Sequence, residues 1–381
     1  MTLQIDIHHR LGAFSLDAAF ETGGRLTALF GPSGSGKTSL VNLIGGLLRP
    51  DKGRIVADGR VLVDTTSGIF VPKHKRRIGY VFQDARLFPH MTVEQNLRYG
   101  RFFTPSSDRY SDMDGVVDLL GLGHLLERRP GLLSGGEKQR VAIGRALLAS
   151  PHLILMDEPL ASLDDHRKAE IMPYIERLRD ETKIPIVYVS HSVAEVARLA
   201  TEMVVLDEGK VTASGQTSQI LQRLDLLPEE ERGEGGSVLE MRVTGRSEAF
   251  GMSSLTSRAG DIQVVGLDAE LGSTVRVRIR ARDVIVATER PRGLSALNIL
   301  AGRIAGINSG DGPIADVLID CNSEIITARI TRQSAEILNL TPGLDVFAVV
   351  KSVTFDRANT TRGIIGTQSS LEGTTEMEKV G

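Results

Sequence analysis

The chain has 381 residues, which predicts one domain of about 200 to 250 residues and a smaller second one. Its 45 lysines and arginines against 48 aspartates and glutamates give a formal net charge of −3, so the overall charge does not favour nucleic-acid binding. The single cysteine, Cys321, excludes an internal disulfide, and no basic segment followed by an apolar run opens the sequence. No apolar stretch reaches the roughly 18 residues of a membrane helix. We therefore expect a cytoplasmic protein without a nucleic-acid partner, which reaches a membrane only through another protein.

Short apolar runs in the first half predict the strands of a mainly parallel sheet. Helical stretches lie between several of these runs, which is typical of an α/β fold. The runs are at 26–30, 78–82, 153–156, 186–189 and 203–206.

A glycine-rich loop follows the first of these runs and precedes a helix-like segment. Its sequence, Gly31-Pro-Ser-Gly-Ser-Gly-Lys-Thr38, matches G-x-x-x-x-G-K-[ST] in the expected strand–loop–helix context. The glycines let backbone N–H groups face a polyanion, Lys37 is suited to the terminal phosphates and Thr38 to Mg²⁺. The alternative is a glycine-rich surface turn. We predict an ATP and Mg²⁺ site that uses Gly31, Pro32, Ser33, Gly34, Ser35, Gly36, Lys37, Thr38 and Ser39.

Polar residues follow three of the other predicted strands. Gln83 follows 78–82, Asp157 and Glu158 follow 153–156, and His191 follows the strand that ends at residue 190. The carboxyl ends of parallel strands meet at one edge of a sheet, where ligands bind. We predict Asp157 and Gln83 at Mg²⁺, Glu158 and Gln83 at the attacking water, and His191 at the γ-phosphate. A surface role is the alternative for each residue alone, but the combination favours phosphoryl transfer.

The segment Leu133-Ser-Gly-Gly-Glu-Lys-Gln-Arg140 contains a second candidate phosphate loop, formed by Ser134, Gly135 and Gly136 at a helix start. Ser134 and Glu137 also match a helix capping box, and both interpretations can hold. With the first loop, the acidic pair, the turn at 161–164 and His191, this segment resembles the ATP-binding-cassette (ABC) family over about residues 1 to 225. The resemblance implies an α/β P-loop NTPase cassette with a mixed sheet and a helical signature subdomain.

The same resemblance implies a head-to-tail homodimer. Each ATP would lie between the Lys37 loop of one chain and the Ser134 to Gly136 loop of the other. Phe14 is the candidate for stacking on adenine, Gln83 would lie beside the groove for a membrane subunit, and Asp164 would lie in a turn at the dimer contact.

A single cassette without a membrane segment favours the ATPase subunit of an importer, peripheral on the cytoplasmic face of a bacterial inner membrane. Its partners would be separate permease subunits and, indirectly, a periplasmic substrate-binding protein. The segment Asp84-Ala-Arg-Leu-Phe88 resembles the ATPases of molybdate importers, which predicts molybdate or tungstate as cargo. Sulfate, ferric iron, sugar or polyamine import remains an alternative, as do a soluble cassette ATPase and an oxyanion-sensing or storage protein.

The second half of the chain has a different composition and a different pattern of apolar residues. The stretch 228–237 combines proline, glycine and like charges and predicts a solvated connection, and 275–280 alternates valine or isoleucine with arginine as on a strand with one solvated face. Residues 295–304 and 349–353 resemble the small oxyanion-binding β-domain (Mop/TOBE) of molybdate-handling proteins, with Leu297 where an arginine is common. The candidate oxyanion residues are Ser295, Lys351 and Ser352, although packing of a shared β-fold would also explain them.

These features together predict four segments. They are an ATP-binding domain at 1–230, a connection with a first β segment at 231–288, the Mop/TOBE-like β-domain at 289–356 and a flexible tail at 357–381.

Overall fold

The computed structural model describes residues 2–267, 269–309 and 312–351. Its largest sheet has eleven strands in the order β6-β5-β4-β1-β2-β11-β10-β3-β9-β8-β7. Strands β10, β3, β9, β8 and β7 are mutually parallel, whereas β1 pairs antiparallel with β2 and β4. The strands are β1 (Leu3–Leu11), β2 (Phe14–Thr22), β3 (Leu26–Phe30), β4 (Lys52–Ala57), β5 (Arg60–Asp64), β6 (Ile69–Phe70), β7 (Ile78–Val81), β8 (Leu153–Asp157), β9 (Ile186–Ser190), β10 (Glu202–Asp207) and β11 (Lys210–Gln216).

Helices cover the parallel part of this sheet on both faces. Every residue of β3 and β9 is buried, because a parallel strand between two helical layers has no solvated side. Strands β1 and β2 instead alternate buried and exposed residues. The helices are α1 (Lys37–Gly45), α2 (Lys73–Arg76), α3 (Val93–Phe102), α4 (Met113–Leu120), α5 (Gly135–Leu148), α6 (Asp165–Glu181), α7 (Val193–Leu199), α8 (Thr217–Gln222) and α9 (Arg332–Ile337).

Helices α3, α4 and α5 form a helical layer beside the parallel strands. Their apolar residues join one buried cluster with β3, β8 and β9. A Cβ atom on Gly144 of α5 would lie 2.6 Å from Leu97 and 3.1 Å from Leu120, so α3 and α4 approach α5 closely at this point. The helix that begins at the second candidate phosphate loop is therefore packed into the domain core. None of the helices in the described ranges is long and apolar enough to cross a membrane.

Within the described residues from 236 to 350, the chain forms two antiparallel sheets. The four-stranded sheet has the order β14-β13-β12-β15 and the five-stranded sheet the order β16-β20-β17-β18-β19. One apolar cluster joins both sheets, and Cys321 is fully buried within it, which raises the pKa of its thiol to about 12. The strands are β12 (Gly236–Ser247), β13 (Met252–Ser257), β14 (Gly260–Val265), β15 (Thr274–Arg280), β16 (Val284–Ala287), β17 (Asn298–Ser309), β18 (Ile314–Cys321), β19 (Glu324–Thr331) and β20 (Asp345–Val350).

The α/β cassette followed by a β-rich region confirms the predicted fold class. The expectation of a solvated connection at 228–237 is wrong. Glu231 accepts a hydrogen bond from the backbone N–H of Val193 at 3.0 Å, and the Glu234 carboxylate lies 2.6 Å from Arg278 and Arg282. The predicted solvated face of β15 is also wrong, because Arg278 and Arg280 pair with Glu234 of the connection and Arg276 donates to the carbonyl of Ala200. Composition indicates charge in both segments but not that the charges pair with each other.

Candidate nucleotide site

The phosphate loop joins β3 to α1, as its motif predicts. Gly34 and Gly36 have φ angles of 83° and 100°, a backbone region that favours glycine. A Cβ atom on Gly36 would lie 3.0 Å from the Phe14 ring, which packs beside the loop. Helix α1 begins at Lys37, with Gly36 as its N-cap, so the free N–H groups of its first turn face the loop.

Lys37 is buried inside this loop, with 4% of its surface exposed. Its ammonium donates at 2.8 Å to the carbonyl oxygens of both Gly31 and Pro32. Burial lowers the pKa of Lys37, while the nearby Glu158 and Asp157 oppose this effect. The ammonium also lies 3.5 Å from the Ser35 hydroxyl, so the loop holds it against neutral oxygens, and an incoming phosphate would be a stronger partner.

Asp157 ends β8 directly beside Thr38. The Thr38 hydroxyl donates to one Asp157 oxygen at 3.1 Å, and the Tyr80 hydroxyl donates to the other at 3.4 Å. Burial raises the pKa of Asp157, and Glu158 adds to this, whereas the bonds from Thr38 and Tyr80 lower it. Mg²⁺ takes oxygen ligands and keeps several waters, so the adjacent Thr38 and Asp157 oxygens fit it. No cluster of three or more His, Cys, Asp or Glu residues suited to a metal occurs in the described ranges.

Glu158 and His191 lie next to each other at the ends of β8 and β9. The His191 Nδ1 atom is 3.6 Å from a Glu158 carboxylate oxygen. Glu158 has a φ of 45°, rare for a residue with a side chain, and its N–H donates to the carbonyl of Val189 at 3.2 Å. Such strained backbone recurs at functional sites because the surrounding structure must hold it in place.

One cavity of about 230 Å³ lies between the phosphate loop and Glu158. It is lined by Phe14, Ser33, Gly34, Gly36, Lys37, Thr38, Ser39 and Glu158. A larger cavity of about 610 Å³ includes Pro151, His152 and Pro185, which precede β8 and β9, and contains none of the predicted site residues. The smaller cavity is the one that the phosphate loop and Glu158 line.

Gln83 and the second loop lie outside this cavity. Gln83 is exposed after β7, and within the described ranges its side chain has no hydrogen-bond partner. Ser134 caps α5, accepting from the Glu137 N–H at 3.2 Å while its own N–H donates to the Glu137 carboxylate at 2.7 Å. The predicted capping box is thus present. A Cβ atom on Gly135 would lie 2.7 Å from Leu163, so the turn at 161–164 packs directly on this loop.

Two residues of α5 hold the Gln83 segment, and the sequence interpretation missed both. The Gln139 amide is buried and donates to the carbonyl of Phe82 at 3.1 Å. The Arg145 guanidinium donates to the carbonyls of Ala85 and Arg86 at 3.1 and 2.8 Å. A polar Gln139 among the apolar residues of a helix could have indicated a buried hydrogen bond, but its partner, Phe82, lies 57 positions away in the sequence.

The oxyanion candidates stand at one end of the β17–β20 pair. Asn298 pairs with Val350, so Ser295 and Lys351 lie just beyond the ends of these antiparallel strands, and both are exposed. Ser352 is outside the described residues.

Comparisons with known proteins agree with this arrangement. Residues 18–161 match the ABC transporter family, and residues 294–354 match the TOBE domain. The chain is 69% identical over 364 residues to a molybdenum import ATP-binding protein of Mesorhizobium japonicum, covering 96% of this chain and 98% of the relative. The corresponding protein of Rhizobium etli is 56% identical, with 93% of this chain and 100% of the relative covered.

A solved dimeric ATP-binding cassette bound to ADP and phosphate is 26% identical, with 57% of this chain and 99% of that chain covered and a TM-score of 0.47. The family match and the two full-length relatives agree on the same class of protein. The chain therefore belongs to the molybdenum import ATP-binding proteins of the ABC transporter family.

Proposed function

We propose that this chain is the ATP-hydrolysing subunit of a bacterial molybdate importer, with tungstate as an equivalent cargo. It would act as a translocase, peripheral on the cytoplasmic face of the inner membrane, with separate permease subunits and a periplasmic binding protein that delivers the anion. The observation that carries the proposal is one group of neighbouring side chains: Lys37 and Glu158 line the same cavity, Asp157 is hydrogen-bonded to Thr38 of that lining, and His191 lies beside Glu158. The names of the relatives support molybdenum as the cargo.

Each residue has a role that its position supports. Lys37 would leave its two loop carbonyls for the β- and γ-phosphates, and the N–H groups at the start of α1 would bind the β-phosphate. Glu158 would orient the attacking water and accept its hydrogen bond, while His191 would hold the γ-phosphate. Water attacks the γ-phosphorus and the bond to the bridging oxygen breaks, which gives ADP and inorganic phosphate.

Thr38 and Asp157 would hold Mg²⁺, which supplies positive charge for the phosphates when bound. Phe14 lines the cavity and is placed to stack on adenine. The Gln83 side chain is exposed, and within the described ranges it makes no hydrogen bond with Asp157. Gln83 would therefore join the site only after its segment moves.

We infer that the active unit is a homodimer. The cavity of one chain lacks Ser134, Gly135 and Gly136, although these residues form a helix start suited to phosphate, with Ser134 exposed. A second copy in head-to-tail orientation would bring its Ser134 loop to the open side of the nucleotide. ATP would then hold two half-sites together, and loss of the γ-phosphate would separate them.

The substitution Glu158→Gln tests the proposed hydrolysis. The amide keeps the size of the side chain but loses the negative charge, so the variant should bind ATP, form a stable dimer by sedimentation and lose nearly all turnover. Glu208→Gln is a matched control, because Glu208 also has a positive φ of 45° and lies outside the cavity. Rapid ATP hydrolysis by Glu158→Gln would refute the assigned role of Glu158. Vesicles carrying the full transporter should accumulate molybdate with ATP, and uptake of sulfate in preference would refute the cargo.

We also propose that the C-terminal β-region senses oxyanion through Ser295, Lys351 and Ser352 and slows hydrolysis when cargo is plentiful. The contact of Glu231 with the start of α7 supports this, because α7 begins two residues after His191. Millimolar molybdate should lower the ATPase rate of the assembled transporter, and Lys351→Gln should remove this effect. An unchanged rate in the native protein would refute the regulatory role.

A further inference from the structure

Glu195 is a buried carboxylate in the first turn of α7, outside the residues assigned to the site above. Only 5% of its surface is exposed, and both carboxylate oxygens contact polar side chains of the protein. One oxygen accepts from the Tyr188 hydroxyl at 2.9 Å and from the Ser190 hydroxyl at 2.8 Å, and the other lies 3.1 Å from the Lys168 ammonium. Burying a charged group costs free energy unless it is paired, so these three partners stabilise the buried Glu195 carboxylate. Glu195 thus joins three separate elements, namely β9, α6 and α7.

The contacts of Glu195 surround the turn that carries His191. Ser190 precedes His191, and its hydroxyl also accepts from the Ser192 N–H at 3.0 Å. Ser192 follows His191, and its hydroxyl accepts from the Glu195 N–H at 3.4 Å. The residues on both sides of His191 are therefore held by Glu195, while the His191 side chain itself is 53% exposed and lies 3.6 Å from Glu158, which lines the nucleotide cavity.

Tyr188 remains a neutral donor in this network. Burial raises its pKa well above the ordinary value, and the nearby Glu195 carboxylate raises it further. The phenol therefore keeps its proton at neutral pH and can donate to Glu195.

Lys168 carries the same network to the turn at 161–164. It lies in the first turn of α6, where Asp164 caps the helix by accepting from the Arg167 N–H at 2.9 Å. The backbone N–H of Lys168 also donates to the Asp164 carbonyl at 2.9 Å. The Lys168 side chain is 24% exposed, so its pairing with Glu195 is largely shielded from water.

We propose that Glu195 and Lys168 are positioning residues for ATP hydrolysis, because their ion pair fixes the turn of His191 relative to the turn of Asp164. This proposal rests on the function proposed above. The two turns belong to different strand–helix units, and the ion pair is a direct side-chain link between α6 and α7 at this end of the sheet. Small displacements of groups that orient a substrate reduce rates strongly, so loss of this link should act on turnover more than on nucleotide binding. The phosphate loop contains neither residue.

The test compares Lys168→Met, Glu195→Gln and the double variant in the full chain assembled with its permease. Each single variant should lower kcat by about 10- to 100-fold and leave KM for ATP within about twofold. The double variant should be no slower than the slower single variant, because both substitutions remove the same interaction. Lys168→Arg keeps a cation at this position and should restore kcat to within about threefold of the native value.

Glu181→Gln is the matched control, since it breaks the ion pair of Glu181 with Arg177 at the other end of α6. It should leave both kcat and KM unchanged. Lys168→Met keeps the test informative if Glu195→Gln does not fold, because the Lys168 side chain is partly exposed. Native hydrolysis in the same assay tests the proposed function, and only the variants test the positioning role. An unchanged kcat in Lys168→Met, a parallel change in kcat and KM, or no rescue by Lys168→Arg would overturn the proposal.

Discussion

Arg76 offers the sharpest test of how the helix after the phosphate loop is held. Its guanidinium is 2% exposed and donates to the carbonyls of Leu43 and Ile44, at the C-terminal end of α1, and to the carbonyl of Val71. The central carbon of the guanidinium, Cζ, also lies 5.0 Å from the centre of the Phe70 ring. Burial lowers the pKa of Arg76 to about 10, so the side chain remains charged at neutral pH. Arg76 therefore acts as the C-terminal cap of α1.

We expect Arg76→Met to fill the same space and remove all three hydrogen bonds. Leu43 keeps a second partner, the N–H of Gly46, so Ile44 and Val71 lose the most. A buried carbonyl left without a partner costs about 1 to 3 kcal/mol, so the variant should lose about 3 kcal/mol of unfolding free energy. With a denaturant slope of about 3 kcal/mol per M, the urea midpoint of the nucleotide domain should fall by about 1 M.

The assay is urea unfolding followed by circular dichroism, together with ADP titration in the absence of denaturant. Loosening the C-terminal end of α1 should also weaken ADP binding, because the other end of this nine-residue helix forms the phosphate loop. Arg49→Met is the matched control, since Arg49 is exposed and lies 5.4 Å from the same Phe70 ring. If both variants unfolded at the native midpoint and bound ADP alike, the capping role of Arg76 would be refuted.

Three further substitutions test other contacts. Tyr80→Phe removes a hydrogen bond that lowers the pKa of Asp157, so Asp157 should remain protonated to higher pH. The acid limb of the pH profile of ATPase activity should therefore shift to higher pH, and an unshifted limb would contradict this. Gln139→Leu frees the carbonyl of Phe82, so permease stimulation of ATPase activity should fall while ATP affinity stays native, and full stimulation would count against the contact. Glu231→Ala removes a cap from α7 and should cost about 1 kcal/mol in urea unfolding, whereas a native midpoint would argue against the cap.

The sequence was sufficient for the parts of the site that depend on local chain order. The phosphate loop required only a strand, glycines and a helix start in succession, and the acidic pair required only the end of an apolar run. These patterns predict positions along the chain, and parallel pairing then brings Asp157, Glu158 and His191 to one edge of the sheet. The predicted strand ends at 78–82, 153–156 and 186–189 agree with β7, β8 and β9 to within one residue.

Contacts between distant segments could not be read from sequence. Gln139 could bind any carbonyl near α5, and only the packing of α5 against β7 selects that of Phe82. The acidic stretch near residue 230 appeared solvated because its partners lie elsewhere. The three arginines around Glu234 come from residues 278 to 282, more than 40 positions further along the chain. Such charges pair only after the β-region has folded against the cassette.

In the proposed head-to-tail homodimer, the packing of the second candidate phosphate loop would give each chain a route for sensing its partner. Gly135 of that loop packs against Leu163, so a ligand that shifted the loop would be expected to displace the turn at 161–164. This turn caps α6, and the Lys168–Glu195 pair carries a displacement of α6 to the turn of His191. The contacts thus run within one chain from the Ser134 loop to His191. The Ser134 loop would bind the nucleotide held by the second copy, and His191 would hold the γ-phosphate in the first. A dimer built in this way would couple its two sites through packed side chains within each chain, without direct contact between the nucleotides.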